Sequence, residues 1–534
     1  MKRRAFLQTA AGAGLGALGG SRSVLAAEAE IELAPGRPGP VISPHIYGHF
    51  IEHLGGVIYD GIWVGRGSKI ANVDGIRQRF VDDMKRIGAP NLRWPGGCFA
   101  DGYHWRDGIG PVDKRPRTYN FWEPRMPPGV RATETNQFGT HEFMHLCRLV
   151  GAEPYVAANV GSSTPQEFYD WVAYCNAPPG TASLADERAR NGAREPFAVK
   201  YWGVGNESWG CGGNMTGAEY ATEFRKFVAQ FPMYTRPYLV AVGPRGHSAD
   251  GDPGWTEGFF EGLGRHRAQV DGYALHYYTD FRQTPEAGAT FDEKGWYAVL
   301  HKGARIENVI EDHWRLMGRH DPEHHTKFVI DEWGNWYRGG TELGPAYLLS
   351  QTITLRDALH AAMTFDIFNR HADKVEMANV AQTINCLHSL FAAVEDRYTR
   401  TPAYYAFEMY RPHMGARLVP MRIEVPELAV PLLAGSAKLA GLSGSASIRD
   451  RRVTVTLTNP SVSDAVTARI RVSGGGRLAE GRGTVLTHEE MTATNTFDDP
   501  DNVTLSGLTV RIGGDAAQVT VPKQSAVALE LRIA

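Results

Sequence analysis

Cysteine is scarce in this 534-residue chain, which holds five: Cys98, Cys147, Cys175, Cys211 and Cys386. So few, so widely scattered, exclude a disulfide-stapled scaffold, and no pair has the C-x-x-C spacing of a structural zinc site. Cys147 and Cys175 fall among apolar residues in helical patterns, where a buried thiol is the ordinary expectation. Basic residues are not in excess either. The 56 Lys and Arg stand against 59 Asp and Glu, a formal net charge of -3, so the electrostatic footprint of a nucleic-acid binder is missing. Beyond the amino terminus no apolar run is long enough to cross a bilayer, and there is no internal repeat. What remains is a chain with enough hydrophobic residues, 43%, to bury a large core. An uncharged or weakly charged ligand suits it best. Its 12 Trp and 21 Tyr could stack on sugar rings, although aromatic side chains more often serve as core.

The amino terminus is the one segment that reads as an address. Lys2, Arg3 and Arg4 precede Phe6 and Leu7, and a Gly/Ala-rich apolar stretch then runs to Val24-Leu25-Ala26. Positive, apolar and small-residue regions in that order make an export signal. Adjacent arginines before a weakly hydrophobic stretch resemble a twin-arginine signal. The expectation is that residues 1–26 are removed after Ala26, leaving a periplasmic or secreted protein with no membrane attachment.

From there the sequence alternates short apolar strands, polar loops and amphipathic helices, as a parallel α/β sheet requires. Eight candidate strands can be counted: residues 46–50, 91–94, 154–158, 201–205, 238–242, 272–276, 328–331 and 375–379. Helical patterns between them include Gly75 to Gly88, Thr140 to Gly151 and Ala218 to Phe231, with apolar residues at three- and four-residue steps. Eight such units predict a (β/α)8 TIM barrel over residues 41–408. A doubly wound open sheet is the runner-up, but no Gly-rich dinucleotide fingerprint follows the first strand. From about Met409 to residue 534 alternating strands without long helices, such as Arg452 to Leu457 and Ala526 to Leu531, predict an antiparallel β-sandwich. The segment 27–40, through Ile31-Glu32-Leu33, is expected to lend it a strand.

Cleaving a glycosidic bond with retention needs two carboxyl groups about 5 to 5.5 Å apart, one to protonate the leaving oxygen and one to attack the anomeric carbon. In a barrel such groups belong at the C-terminal ends of strands. Glu207 closes Trp202-Gly203-Val204-Gly205-Asn206-Glu207 and Glu332 closes Phe328-Val329-Ile330-Asp331-Glu332. By the strand count these are the fourth and seventh strands. A single Glu after a strand is usually a solvated loop residue; two in these positions are a candidate acid/base (Glu207) and nucleophile (Glu332).

Asn206-Glu207 on the fourth strand with a Glu on the seventh resembles the superfamily of retaining barrel glycosidases. More specific runs resemble glycoside hydrolase family 51, the α-L-arabinofuranosidases. These are Ile46 to His53 (IYGHFIEH), Arg93 to Gly97 (RWPGG), Tyr103 to Pro111 (YHWRDGIGP) and Asp331-Glu332-Trp333. The resemblance spans nearly the whole chain after the signal and implies a barrel plus a β-sandwich. It implies that terminal arabinofuranosyl groups are removed from arabinose-containing plant polysaccharides or oligosaccharides without any cofactor or metal. It also implies roles: Arg93 bonds the nucleophile carboxylate and helps keep it ionised, Tyr278 orients it, and Asn206 meets the sugar 2-hydroxyl. Glu52 and Gln382 bind sugar hydroxyls, Trp122 forms a wall, and His276 precedes Tyr278 in the same strand-end run. One position departs from the family pattern. Many members have Asn after Arg-Trp-Pro-Gly-Gly, whereas here it is Cys98, a weak donor and acceptor. Cys211 follows Glu207 closely, so both cysteines are placed at the barrel mouth. A Cys98–Cys211 disulfide and two free thiols both stand open at this level.

Rival readings are few. His141-Glu142-Phe143-Met144-His145 matches the H-E-x-x-H zinc peptidase pattern, but it lacks the extended continuation with a third ligand, and its apolar residues suit the inner face of a barrel helix. A non-catalytic carbohydrate-binding protein is opposed by the intact Glu207, Glu332, Asn206 and Arg93. An endo-β-1,4-glucanase or β-xylosidase on the same machinery is the closer alternative, because loops set specificity. The oligomeric state, a homo-oligomer included, is open at this level.

Overall fold

In the computed structural model, residues 27–534 are described apart from 233, 235, 285–287, 339 and 341. The expected export signal at residues 1–26 therefore lies outside the described residues. Among the described residues no helix is long and apolar enough to cross a membrane.

Eight parallel strands close into a barrel: β1 (Gly48–Phe50), β2 (Asn91–Trp94), β3 (Glu153–Ala158), β4 (Tyr201–Val204), β5 (Tyr238–Ala241), β6 (Gly272–Phe281), β7 (Lys327–Tyr337) and β8 (Val375–Val380). Successive strand residues point to opposite faces, and two cores result. Val156, Trp202, Leu239 and Ile330 join the large outer cluster packed on the helices. Tyr155, Tyr201, Val240, Ala274, Val329 and Met377 form a separate cluster that fills the barrel. The interior is therefore solid below the site. Helix Gln78–Ile87 shows why the helices form where they do. Phe80, Val81, Met84 and Ile87 share one buried face, and Gly88 ends the helix at φ 66°, a left-handed conformation that glycine adopts at little cost.

All eight expected strands are present, with corrections at three of them, the sixth running on beyond His276 to Phe281. The first was expected over residues 46–50, but Pro44–Tyr47 is a 3-10 turn. Pro44 presets its first residue and the Ser43 hydroxyl accepts from the His45 amide at 3.3 Å. The seventh was expected over residues 328–331, closed by Glu332, but β7 continues to Tyr337, because it stays paired with a lengthened β6 as far as Phe281. Glu332 thus sits mid-strand, where the register shifts against both neighbours, between Val329 and Glu332 on one side and between Ile330 and Trp333 on the other.

After helix Pro402–Tyr410 the chain forms two packed sheets. One holds six strands and the other five, and a buried apolar core includes Ile31, Val455, Ile470 and Leu529. The expected amino-terminal strand is Ala27–Leu33, with Ala29, Ile31 and Leu33 turned inward. It pairs antiparallel with Met421–Glu424 and parallel with Val466–Val472, so this sandwich is not purely antiparallel.

Helix Leu355–Arg370 joins the two parts. Asp366 Oδ1 accepts from Ser445 Oγ at 2.7 Å and from Thr456 Oγ1 at 2.6 Å. Asn369 accepts from Tyr47 Oη at 2.7 Å and donates to Ser445 Oγ at 3.0 Å. Asp366→Ala leaves two buried hydroxyls without their acceptor, so stability should fall by about 1–3 kcal/mol. Urea unfolding checks this; an unchanged midpoint would show that the contact adds nothing to the seating of the sandwich.

Candidate active site

The site is built on the C-terminal side of the barrel from β2, β4, β6 and β7 and the loops that follow them. Arg93, fully buried on β2, points into the barrel. Its Nη1 donates to Glu332 Oε1 at 2.8 Å and its Nη2 to Asn206 Oδ1 at 2.7 Å, while Nε lies 3.3 Å from Asp331 Oδ2. Burial opposes the guanidinium charge, but the Asp331 and Glu332 carboxylates outweigh it and hold Arg93 firmly protonated. The glycines after Trp94-Pro95 answer to the same crowding. A Cβ on Gly97 would come 2.7 Å from Glu332 Oε1, and one on Gly96 would come 2.7 Å from Glu52 Cγ.

Glu332 accepts a second hydrogen bond, from Tyr278 Oη to Oε2 at 2.7 Å. Its neighbour Asp331 accepts from Tyr155 Oη at 2.7 Å. His276 lies among three carboxyls. Its Nδ1 is 3.0 Å from Glu207 Oε1 and 3.5 Å from Glu332 Oε2, and its Nε2 is 3.2 Å from Asp331 Oδ1. Burial alone would lower its pKa, but the Glu332 and Asp331 charges and the bond to Glu207 raise it to about 10. The surrounding carboxyls thus favour the imidazolium form of His276, with Nδ1 donating to Glu207. Burial is the largest influence on Asp331 as well, yet Arg93 and His276 hold that carboxyl below its usual range.

Glu207 follows β4 at φ 37°, a backbone region that non-glycine residues rarely occupy and that recurs at functional sites. Burial, with the nearby Glu332 charge, pushes its pKa up against the opposing bond from His276. Cys98 and Cys211 are joined in a disulfide that closes 113 residues of sequence, and both sulfurs lie 3.6 Å from Glu207 Oε2. One oxygen of Glu207, one of Glu332 and a nitrogen of His276 all lie within 4.8 Å of one another. An upper bound of 4.8 Å between one oxygen of each is compatible with the close pair of a retaining enzyme and shorter than the spacing of an inverting one.

Glu52 lies alongside. Its Oε1 accepts from the Phe99 amide at 3.0 Å and from Trp122 Nε1 at 3.1 Å, and its Oε2 from Gln382 Nε2 at 2.9 Å. Burial and the Glu332 charge raise its pKa to about 7. A cavity of about 410 Å³ opens over these groups, lined by Glu52, Trp122, Glu207, Tyr278, Glu332 and Gln382. The expected residues Glu52, Arg93, Trp122, Asn206, Glu207, His276, Tyr278, Glu332 and Gln382 thus form one connected cluster.

Sequence reasoning missed several others. Asp331 was in view only as part of a motif; its signal was a carboxylate beside Glu332 on a strand otherwise apolar. Phe121, Arg125, Arg282 and Trp336 line the mouth of the cavity, with the Arg282 guanidinium 4.1 Å above the Trp336 ring. The first two come from an irregular loop, and Trp336 from the part of β7 that was not anticipated.

The H-E-x-x-H residues face elsewhere and have other partners. His141 Nε2 meets Tyr174 Oη at 2.7 Å, Glu142 takes both Arg115 Nη atoms and caps the Gly139 amide, and His145 pairs with Asp74. Cys98 and Cys211, bonded to each other, offer no thiolate to a metal.

A closed parallel barrel carrying two carboxyls this close on β4 and β7 defines the class of barrel glycoside hydrolases. Two family models match: an α-L-arabinofuranosidase 1 domain over residues 83–293 and an α-L-arabinofuranosidase C-terminal domain over residues 331–525. An intracellular exo-α-L-arabinofuranosidase of Bacteroides ovatus is 36% identical over 92% of this chain and 93% of its own. The crystal structure of a family 51 arabinofuranosidase from Xanthomonas axonopodis pv. citri matches with a TM-score of 0.88 at 37% identity, covering 95% of this chain and all of that one. An arabinose complex of the α-L-arabinofuranosidase from Thermotoga maritima matches with a TM-score of 0.82 at 30% identity, covering 95% and 100%. The chain belongs to glycoside hydrolase family 51, the α-L-arabinofuranosidases.

Proposed function

We propose that this protein removes terminal α-L-arabinofuranosyl groups from arabinose-containing plant polysaccharides or oligosaccharides by a retaining double displacement. The observation that carries the reading is the unlike surroundings of two adjacent carboxyls. Glu332 is aimed by Arg93 and Tyr278, as a nucleophile must be. Glu207 is half-buried, with its pKa raised, as a general acid must be. In the first step a Glu332 oxygen bonds to the anomeric carbon while the Glu207 proton passes to the departing oxygen. In the second, Glu207 takes a proton from water, whose oxygen displaces Glu332 and restores the free carboxylate. Asn206, held by Arg93, is placed for the sugar 2-hydroxyl, and Glu52 and Gln382 for other hydroxyls.

A panel of aryl glycosides tests the specificity. The α-L-arabinofuranoside should be cleaved at least about 100-fold faster than the β-xyloside or β-glucoside, because a site built on fixed polar groups rejects a sugar that leaves them unpaired. Preference for either rival sugar would favour the xylosidase or endo-glucanase reading.

Export completes the proposal and is supported by the order Lys2-Arg3-Arg4, apolar stretch, Ala26. The Bacteroides ovatus relative is named intracellular, so the point is open to a direct measurement. The mature protein should be found in the periplasm or medium with Ala27 at its amino terminus, and Arg3→Lys with Arg4→Lys should keep it inside. Full-length protein in the cytoplasmic fraction of unaltered cells would sink the idea.

A further inference from the structure

The disulfide does more than tie two loops. Cys98 lies in the segment after β2 and Cys211 in the segment after β4, and Glu207 sits between them. The two oxygens of its carboxyl have very different neighbours. Oε1 lies 3.0 Å from His276 Nδ1 and accepts from it. Oε2 meets one sulfur from each loop at 3.6 Å. A disulfide sulfur has no hydrogen to give, yet it fills space that water would otherwise occupy. On the side that the sulfurs cover, Oε2 has neither water nor a donor, while the rest of the carboxyl stays open to the cavity; fewer donors around an oxygen favour its protonated form.

We infer that the Cys98–Cys211 disulfide is a positioning element of the acid/base group, which keeps the transferable proton of Glu207 on Oε2 and presents it to the leaving oxygen. The inference rests on Glu207 being the acid/base. It explains why cysteine can stand at position 98, where the family pattern has an amide: its sulfur is needed against the carboxyl, not against the sugar.

The reduced state should behave differently. A dithiol reductant cleaves the bond to two thiols and is itself oxidised to a cyclic disulfide, so electrons and protons balance. Each new S–H is a weak donor within reach of Oε2 and favours the carboxylate. The other groups facing Glu207 are His276 and Tyr278 from β6, Glu332 from β7, Arg93 from β2 and Asp101 just beyond β2. None of them is altered by the reductant, so a change in the pH profile reports the sulfur chemistry.

The experiment measures kcat/KM against pH for two arabinofuranosides, an alkyl one with a poor leaving group and a dinitrophenyl one. Both the oxidised and the reduced full-length enzyme are used, with two additional thiols verified by mass spectrometry. For the alkyl substrate the alkaline limb, where activity is lost as the acid deprotonates, should move down by about half to one pH unit on reduction. Activity above the limb should then fall roughly 3- to 10-fold. The dinitrophenyl substrate, which needs little proton donation, should change less than about 2-fold. Cys98→Ser with Cys211→Ser, which substitutes stronger hydroxyl donors, should move the limb at least as far and covers the case of a bond that resists reduction. Superimposable profiles in all states would overturn the inference, as would an equal loss on both substrates with no movement of the limb. Failure of the underlying acid/base assignment would appear elsewhere, as absence of leaving-group dependence in Glu207→Ala.

Discussion

Glu207→Ala should lower kcat/KM on poor leaving groups by about 100- to 10,000-fold while a dinitrophenyl arabinofuranoside loses far less in its first step. The alanine leaves nothing to protonate the departing oxygen, but Glu332, still held by Arg93 and Tyr278, can form the covalent intermediate whenever the leaving group departs unaided. That intermediate should then persist, since water lacks its base. Azide, which needs none, should restore turnover by entering from the face the leaving group vacated. The product is expected to be the arabinosyl azide of retained configuration, read by NMR. An azide of inverted configuration would contradict the assignment of Glu207.

Glu332→Ala should be the more severe change, about 10,000-fold or more on every substrate regardless of leaving group. Among the described residues no other carboxyl is bonded by both Arg93 and Tyr278. Asp331 is turned toward Arg93, Tyr155 and His276, and Glu52 is engaged by Phe99, Trp122 and Gln382. Azide should occupy the emptied space and react in a single displacement, giving the inverted azide from an activated substrate. The two variants make a paired test. Retained product from Glu332→Ala together with inverted product from Glu207→Ala would exchange the two roles.

The barrel was legible because each strand carries a short apolar run and each helix a buried face with period near 3.6, patterns that depend only on neighbours in sequence. Glu207 and Glu332 were legible because they interrupt that apolar text at equivalent places. The continuation of β7 to Tyr337 was not, because Asn335 and Trp336 read as a loop once the apolar run ends, and only pairing with β6 makes them strand. That is also why Trp336 was missed at the cavity mouth. Phe121 and Arg125 belong to a stretch with no periodicity to read. The Cys98–Cys211 bond could be raised as an option but not decided, since it depends on the distance between two loops, here a Cα separation of 5.6 Å.

The strand Ala27–Leu33 sits inside its sheet, flanked by Met421–Glu424 and Val466–Val472. Its partners lie far downstream of it in the sequence. The barrel can assemble from successive neighbours, but this strand has one edge to fill with Met421–Glu424 and the other only with Val466–Val472. The sandwich therefore closes through contacts of high sequence separation, which form more slowly than the neighbour-to-neighbour pairings of the barrel.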